Sequence, residues 1–265
     1  MSPAHAKIIS LYEAIDEDNR FASRHGSVEY LTTMWYIDQY LRPGGRVLEI
    51  GAATGRYSHA LARRGFTVDA VELVERNIEV FRRNTEPDEP VSMIQGDALD
   101  LSRFADETYD LTLLLGPLYH LFNQDDKRQA LGEAIRVTKT GGVIFASYII
   151  TDGVLTDDGF AHGRTDIPAY VAQGFIDPQT FAIVRSPEEL FEIVRKPDID
   201  DLMSVFPVTR LRYVATDGLT MVIREAVDAM DDATFDWYLR YHFASCECPD
   251  MVGVTSHSLD SFRKD

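Results

Sequence analysis

The chain has 265 residues and a mass of 29.9 kDa, room for one large domain or one domain with an inserted subdomain. With 45% hydrophobic and 26% charged residues it can build a packed core, which argues against disorder as its main state. A formal charge of −17, with no dense run of Lys and Arg, argues against a nucleic-acid polymer as substrate.

In chain order, residues 2–18 set Ile8, Leu11, Tyr12 and Ile15 at helical spacing, with Ser2-Pro3 as the start. The same stretch has no apolar run followed by a small-residue cleavage site, so export is not expected. Residues 30–41 place Tyr30, Met34, Ile37 and Leu41 on one helical face, stopped by Pro43-Gly44-Gly45. Residues 1–45 therefore read as an N-terminal helical cap. The rhythm then changes. Residues 46–51 read as a buried strand, 56–64 as a helix ended by Gly65, 67–73 as a strand and 74–84 as a helix. Residues 91–95 and 110–115 are further strands. Residues 125–138 are a helix with Asp125 as N-cap and Gly141-Gly142 as terminator, and 143–150 a fifth strand. This alternation predicts an α/β protein: a doubly wound, mostly parallel sheet whose core spans 46–150.

Residues 151–186 have a different texture, rich in Gly, Asp and aromatics without a period. They read as an insertion over the sheet edge that carries substrate or forms a lid, with Phe160, Tyr170, Phe175 and Phe181 as apolar walls. Residues 187–265 return to the sheet, with a helix at 187–194, a strand at 208–214, a helix at 231–243 and a last strand at 257–263. That makes about seven strands. The most apolar stretches, 111–122 and 143–150, are shorter than the ~20 residues of a membrane helix. Cys246 and Cys248 lie one residue apart, too close to staple a fold, so a reducing, cytoplasmic setting is expected.

The most informative stretch runs from Glu49 to Gly55, directly after a predicted strand and opening a helix. Gly51 permits a sharp turn off the strand, and Gly55 lets the helix pack close. Glu72 ends the second strand about 20 residues on, where a carboxylate can accept from both ribose hydroxyls. A nucleoside ligand follows. Its kind is set by what is missing: Ala53 stands where a G-x-G-x-x-G turn has its second glycine, and no Lys follows Gly55. The turn suits a nucleoside without phosphates, and with Glu49 and Glu72 nearby, a cationic one.

On these residues, 46–150 resemble the core of class I S-adenosylmethionine-dependent methyltransferases. The turn VLEIGAATG is similar to the family's first motif and AVEL, with Glu72 and Leu73, to its acidic second-strand motif. QGDALDL puts Asp97 where the family often has an acid reaching the adenine amino group, with the Ala98 N–H beside it. LLLGPLYHL, holding Leu115 and Gly116, resembles the fourth-strand motif, and EAIRVTKTGGVI the helix, turn and fifth strand after it. The resemblance implies a seven-stranded sheet with the last strand antiparallel, S-adenosylmethionine as cofactor and S-adenosylhomocysteine as product. It implies a cofactor site of Glu49, Gly51, Ala53, Gly55, Glu72, Leu73, Asp97, Ala98, Leu115 and Gly116.

Tyr119 and His120 follow the Gly116-Pro117 break, where the methyl acceptor arrives. An imidazole with an ordinary pKa of ~6.5 suits proton removal there, against the alternative that it packs under the adenosine or hydrogen-bonds the backbone; Tyr119 is divided between a cofactor contact and core packing. Tyr12, Phe21 and Tyr30 are candidates to cover the cofactor, although aromatics at helical spacing are core more often than ligand. Tyr241, His242 and Glu247 are candidates for the substrate cavity. His242, Cys246, Cys248 and His257 lack zinc spacing, so no metal is expected. The expected activity is methyl transfer to a small-molecule acceptor by in-line displacement, with neither nucleic acid nor membrane as partner. The competing readings are a non-catalytic S-adenosylmethionine sensor and, less fitting, an RNA methyltransferase or an NAD-dependent oxidoreductase. The acceptor and the oligomeric state are not written in these residues.

Overall fold

A computed structural model describes residues 3–184 and 190–265. The chain opens with helix α1 (Pro3–Ala14), a short 3-10 turn (Glu17–Asn19) and α2 (Arg24–Asp38). The α/β core follows: β1 (Arg46–Ile50), α3 (Arg56–Ala62), β2 (Thr67–Glu72), α4 (Glu75–Asn84), β3 (Val91–Gln95), β4 (Tyr109–Leu114), α5 (Gln124–Val137) and β5 (Thr138–Ile150). Beyond it lie α6 (Thr151–Val154), a π-helical turn (Leu155–Ala161), α7 (Ile167–Ala172), β6 (Ile193–Val194) and α8 (Lys196–Met203). The chain ends with β7 (Val208–Ala215), α9 (Arg224–Asp228), α10 (Asp232–Ser245), α11 (Pro249–Val252) and β8 (His257–Lys264).

The strands form one sheet in the order β3-β2-β1-β4-β5-β8-β7, with β6 pairing the end of β5. β1 to β5 run parallel, and β8 is antiparallel to both β5 and β7. The expected doubly wound, mostly parallel sheet with an antiparallel last strand is therefore present, with one strand more than expected. The chain winds outward from β1 to β3, then crosses back so that β4 lies beside β1. That reversal opens a crevice outside the carboxyl ends of β1 and β4, the usual ligand position in such sheets. The sheet is covered on both faces, which is why four of the five β1 residues are buried. Leu48, Ile50 and Leu114 pack beneath α5 and α8 residues such as Ala134 and Ile199. Val47, Leu111 and Leu113 pack on the other face with Ile37, Tyr57 and Leu61.

Several boundaries differ from the sequence expectations for identifiable reasons. α2 begins at Arg24, not residue 30, because Ser23 caps it by accepting from the Gly26 N–H at 3.1 Å. α5 is capped by Asn123, whose Oδ1 accepts from the Asp125 N–H at 2.9 Å, and not by Asp125. Gly141-Gly142 does not end that helix. It lies inside β5, where a Cβ on Gly142 would sit 2.8 Å from the Lys139 carbonyl. The helix expected at 187–194 falls partly outside the described residues, and its described end forms β6. Residues 151–184 have a small core of Leu155, Ile167 and Ile176, while Phe160, Tyr170 and Phe181 are exposed.

Candidate functional site

At the crevice beside β1 and β4 lies a cavity of about 500 Å³. Its walls are the ends of the parallel strands and their loops, closed over by α1 (His5, Ile8, Tyr12) and by Glu17 and Arg20. Of the residues expected at the cofactor, Gly51, Ala53, Glu72, Leu73, Asp97, Ala98, Leu115 and Gly116 all line it. Glu49 and Gly55 are not on the wall. The insertion expected as a lid contributes no lining residue among the described ones, and neither do Phe21, Tyr30, Tyr241, His242 and Glu247. Tyr241 is exposed, and Glu247 instead accepts from the Tyr36 hydroxyl at 2.8 Å. The aromatics of 151–186 failed as cavity walls because their local texture carries no information about which side of the sheet they cover.

The turn after β1 is built around steric limits. Gly51 has φ +76°, and a Cβ there would lie 2.8 Å from Pro117 Cδ, so the backbone approach at the cavity floor requires glycine. Gly55 has φ +90°, and its Cβ would meet the Phe81 ring at 2.5 Å, which fixes α3 against α4. Ala53 also adopts a left-handed φ of +47°, a conformation that costs about 1–2 kcal/mol without compensation. The compensation is Glu72, whose Oε2 accepts from the Ala53 N–H at 2.8 Å while Oε1 accepts from the Val74 N–H at 2.8 Å. The Asn77 side chain and the Leu73 N–H also approach this carboxylate, which lies on the cavity wall. Burial raises its pKa, and the N–H donors of Val74 and Ala53 work against that rise.

Glu49 behaves differently. It is buried beneath the turn, accepts from the Ser58 hydroxyl, and burial pushes its pKa up to about 8. Burial thus favours its protonated form and opposes the negative charge that the sequence expectation placed at the turn. Asp97 closes a local turn by accepting from the Leu99 N–H at 3.0 Å, and its other oxygen lies 3.1 Å from His5 Nε2. α1 is thus tied to the rim of the cavity through a residue of the third-strand motif.

Tyr119 and His120 sit on a 3-10 turn after β4 (Pro117–His120), both buried and both on the cavity wall. His120 Nδ1 lies 2.9 Å from the Leu190 carbonyl, which can only accept, so Nδ1 carries the proton. Nε2 is then an acceptor, and the Tyr12 hydroxyl donates to it at 2.9 Å. Burial lowers the His120 pKa and keeps the ring neutral, while burial pushes Tyr119 up to about 12. His120 faces the cavity through Tyr12. The sequence reading named Tyr12 only as a cover, and it missed His5, Glu17 and Arg20 altogether. No spacing signal marks those three, because they reach the motif residues only through the packing of α1 and the turn after it.

Cys246 is buried within 3.3 Å of the Tyr36 hydroxyl, and Cys248 is exposed. Among the described residues, the one group of three metal-capable side chains is Glu29, Asp217 and His257, which includes neither cysteine.

Residues 48–146 match the methyltransferase-domain family. The chain is 31% identical over 122 residues to a glycine/sarcosine N-methyltransferase of Aphanothece halophytica, covering 45% of this chain and 46% of that protein. It is 39% identical over 102 residues to a demethylmenaquinone methyltransferase of Clavibacter sepedonicus, covering 38% and 40%. The chain thus matches less than half the length of either relative. Among solved structures, a S-adenosylmethionine-dependent methyltransferase from Thermotoga maritima superposes with a TM-score of 0.58 at 18% identity, covering 98% of this chain and 100% of that one. Magnesium protoporphyrin IX methyltransferase from Synechocystis, with bound S-adenosylhomocysteine, gives 0.57 at 10% identity over 99% and 95%. These structures share the fold.

Proposed function

We propose that the chain transfers a methyl group from S-adenosylmethionine to a small-molecule acceptor, a reading supported by the match of residues 48–146 to the methyltransferase-domain family. The observation that carries this reading is Glu72, which steadies the strained Ala53 turn and lies on the wall of a cavity of about 500 Å³. Such a volume is in the usual range for a small-molecule site. The donor set fits a ribose and a base: Glu72 for the two hydroxyls, Asp97 and the Ala98 N–H for the adenine edge. Gly51 and Gly116 leave the backbone bare where the amino-acid end passes. Glu49 and Gly55 act beneath the wall, holding the turn and the helix that follows.

When bound, S-adenosylmethionine supplies a methyl group on a positive sulfur whose leaving thioether is neutral. The protein's task is then alignment and exclusion of water. Fixing donor and nucleophile in line can contribute about 7–11 kcal/mol. α1 supports the exclusion of water, since His5, Ile8 and Tyr12 roof the cavity. For an acceptor that must lose a proton, the Tyr12 hydroxyl can take it while passing its own to His120 Nε2, a step of the kind worth about 10²–10⁴ in rate. Leu190 holds the Nδ1 proton throughout. Calorimetry with S-adenosylhomocysteine against NAD tests the cofactor site, and release of S-adenosylhomocysteine from S-adenosylmethionine across a panel of amines, phenols and thiols tests the activity. Tighter binding of NAD overturns the reading.

A further inference from the structure

Among the described residues, the cavity wall carries the carboxyl groups of Glu17, Glu72, Asp97 and Asp126, and Arg20 is its one Lys or Arg. That cation is already matched: its Nη2 donates to both oxygens of Glu29, which is off the wall, at 2.9 and 2.7 Å. Glu72 has its backbone donors, and Asp97 lies 3.1 Å from His5 Nε2. Glu17 is different. It stands in the 3-10 turn after α1 with its side chain only 14% exposed, and its carboxylate accepts no hydrogen bond from a described residue. Arg20 Nη1 is 3.8 Å away, beyond hydrogen-bond reach. Burial raises the Glu17 pKa, and Arg20 works against that rise. Polar groups that lose their water are as a rule hydrogen-bonded, so a carboxylate without a donor on a cavity wall points to a donor on the ligand.

The charge at this end of the cavity discriminates among nucleophiles. Tyr12 and Tyr119 are phenols on the same wall and respond to the field there. Burial raises both of their pKa values, the charges of Glu17 and Glu72 raise them further, and Arg20 lowers them. A phenol or thiol acceptor must shed a proton and become an anion to attack, and that field opposes it. A carboxylate acceptor meets the same repulsion. An amine attacks as its neutral free base, the proton of the ammonium having been left in solvent. The nitrogen lone pair forms the new N–C bond, the electron pair of the broken S–C bond stays on sulfur, and the positive charge passes to nitrogen. A carboxylate beside that nitrogen gains attraction as the charge arrives, so it stabilises the transition state more than the ground state.

We propose that the methyl acceptor is a primary or secondary amine, and that Glu17 selects it by accepting an N–H from the reacting nitrogen. This rests on the methyltransferase reading and deepens it by naming the acceptor class. Glu17 reaches the cavity on the same N-terminal cap that brings Tyr12 to His120, and its charge acts on the Tyr119 hydroxyl of the turn after β4. It therefore belongs to the end of the cavity where the acceptor enters.

The test is calorimetry on the full chain, wild type, Glu17→Gln and Glu17→Asp, each first saturated with S-adenosylhomocysteine. The probes come in two matched sets, phenethylamine with 4-ethylphenol and phenylacetate, and butylamine with butanethiol and butyrate. In the wild type at least one amine is expected to bind about tenfold or more tightly than its counterparts. Glu17→Gln should weaken that amine about 10–100-fold, the scale of a hydrogen bond to a charged group. Glu17→Asp keeps the charge but draws it back by one methylene, and should recover part of the loss. S-adenosylhomocysteine itself should bind all three proteins alike, which also reports that they are folded. Amines that bind the wild type no better than their counterparts, or that bind Glu17→Gln as well as the wild type, overturn the proposal. A loss of about tenfold in S-adenosylhomocysteine affinity in Glu17→Gln overturns it too, because the carboxylate then serves the cofactor's ammonium. Failure of the wild type to bind S-adenosylhomocysteine sinks the methyltransferase reading instead.

Discussion

Replacing Glu72 with Gln separates the two tasks assigned to that side chain. Its two oxygens accept from Ala53 N–H and Val74 N–H, each at 2.8 Å. An amide offers one oxygen and one NH₂, so one of these N–H groups must face a donor and lose its partner. A buried hydrogen bond to a carboxylate is worth about 1.5–3 kcal/mol, and if Ala53 is the one released, its left-handed backbone loses its support as well. Each kcal/mol moves the melting temperature by about 2–4 °C in a domain of this size, so a drop of about 3–12 °C is expected. Separately, the NH₂ removes one acceptor for a ribose hydroxyl, and S-adenosylhomocysteine should bind about 10–100-fold more weakly. Differential scanning fluorimetry reads the first effect and calorimetry the second. If the melting temperature drops but affinity stays within about twofold of wild type, below the worth of one such bond, Glu72 only braces the turn and the cofactor assignment fails.

Other expectations follow from the same geometry. Gly51→Val drives a side chain into Pro117 from a positive-φ position and should abolish S-adenosylhomocysteine binding by calorimetry while leaving the far-UV spectrum folded. Tyr12→Phe removes the donor to His120 Nε2, and should slow turnover of a proton-losing acceptor about 10²–10⁴-fold with cofactor affinity nearly unchanged, read by S-adenosylhomocysteine release. Glu49 has a folded-state pKa of about 8 against an ordinary 4.5, so the folded protein keeps a proton that the unfolded chain releases between those values. Stability should therefore fall as pH rises through that window, by up to about 1.4 kcal/mol per unit, and level off above it. Urea unfolding of Glu49→Gln should show that component of the pH slope gone; an unchanged slope refutes the buried neutral acid.

Much of the site was legible because its logic is local. Gly51, Ala53 and Glu72 are separated along the chain by a fixed strand–helix–strand unit, and such a unit brings its ends together wherever it occurs. Asp97 and Leu115 follow from two more turns of the same unit. What failed was the extrapolation from texture. The aromatics of 151–186 had no period, and the structure leaves Phe160 and Phe181 exposed away from the cavity. Glu49 looked like a charge at the turn, but a strand-end carboxyl buried beneath it, beside Ser58 and repelled by Glu72, has its pKa pushed up toward the protonated form.

The sequence by itself determined the parallel sheet, the glycine turn and the downstream acid, since strand periodicity, φ > 0 requirements and the crossover unit are all short-range constraints. Only the tertiary structure decided the roof of the cavity, where α1 brings Tyr12 to His120 and His5 to Asp97. It alone set Arg20 beside Glu29 and, through His257 from the other end of the chain, beside Asp217. Two of those contacts, Tyr12 to His120 and Glu29 to His257, join residues more than a hundred positions apart. They arise from burying the cap helices against the finished sheet, a long-range packing event that leaves no periodic trace in the residues taking part.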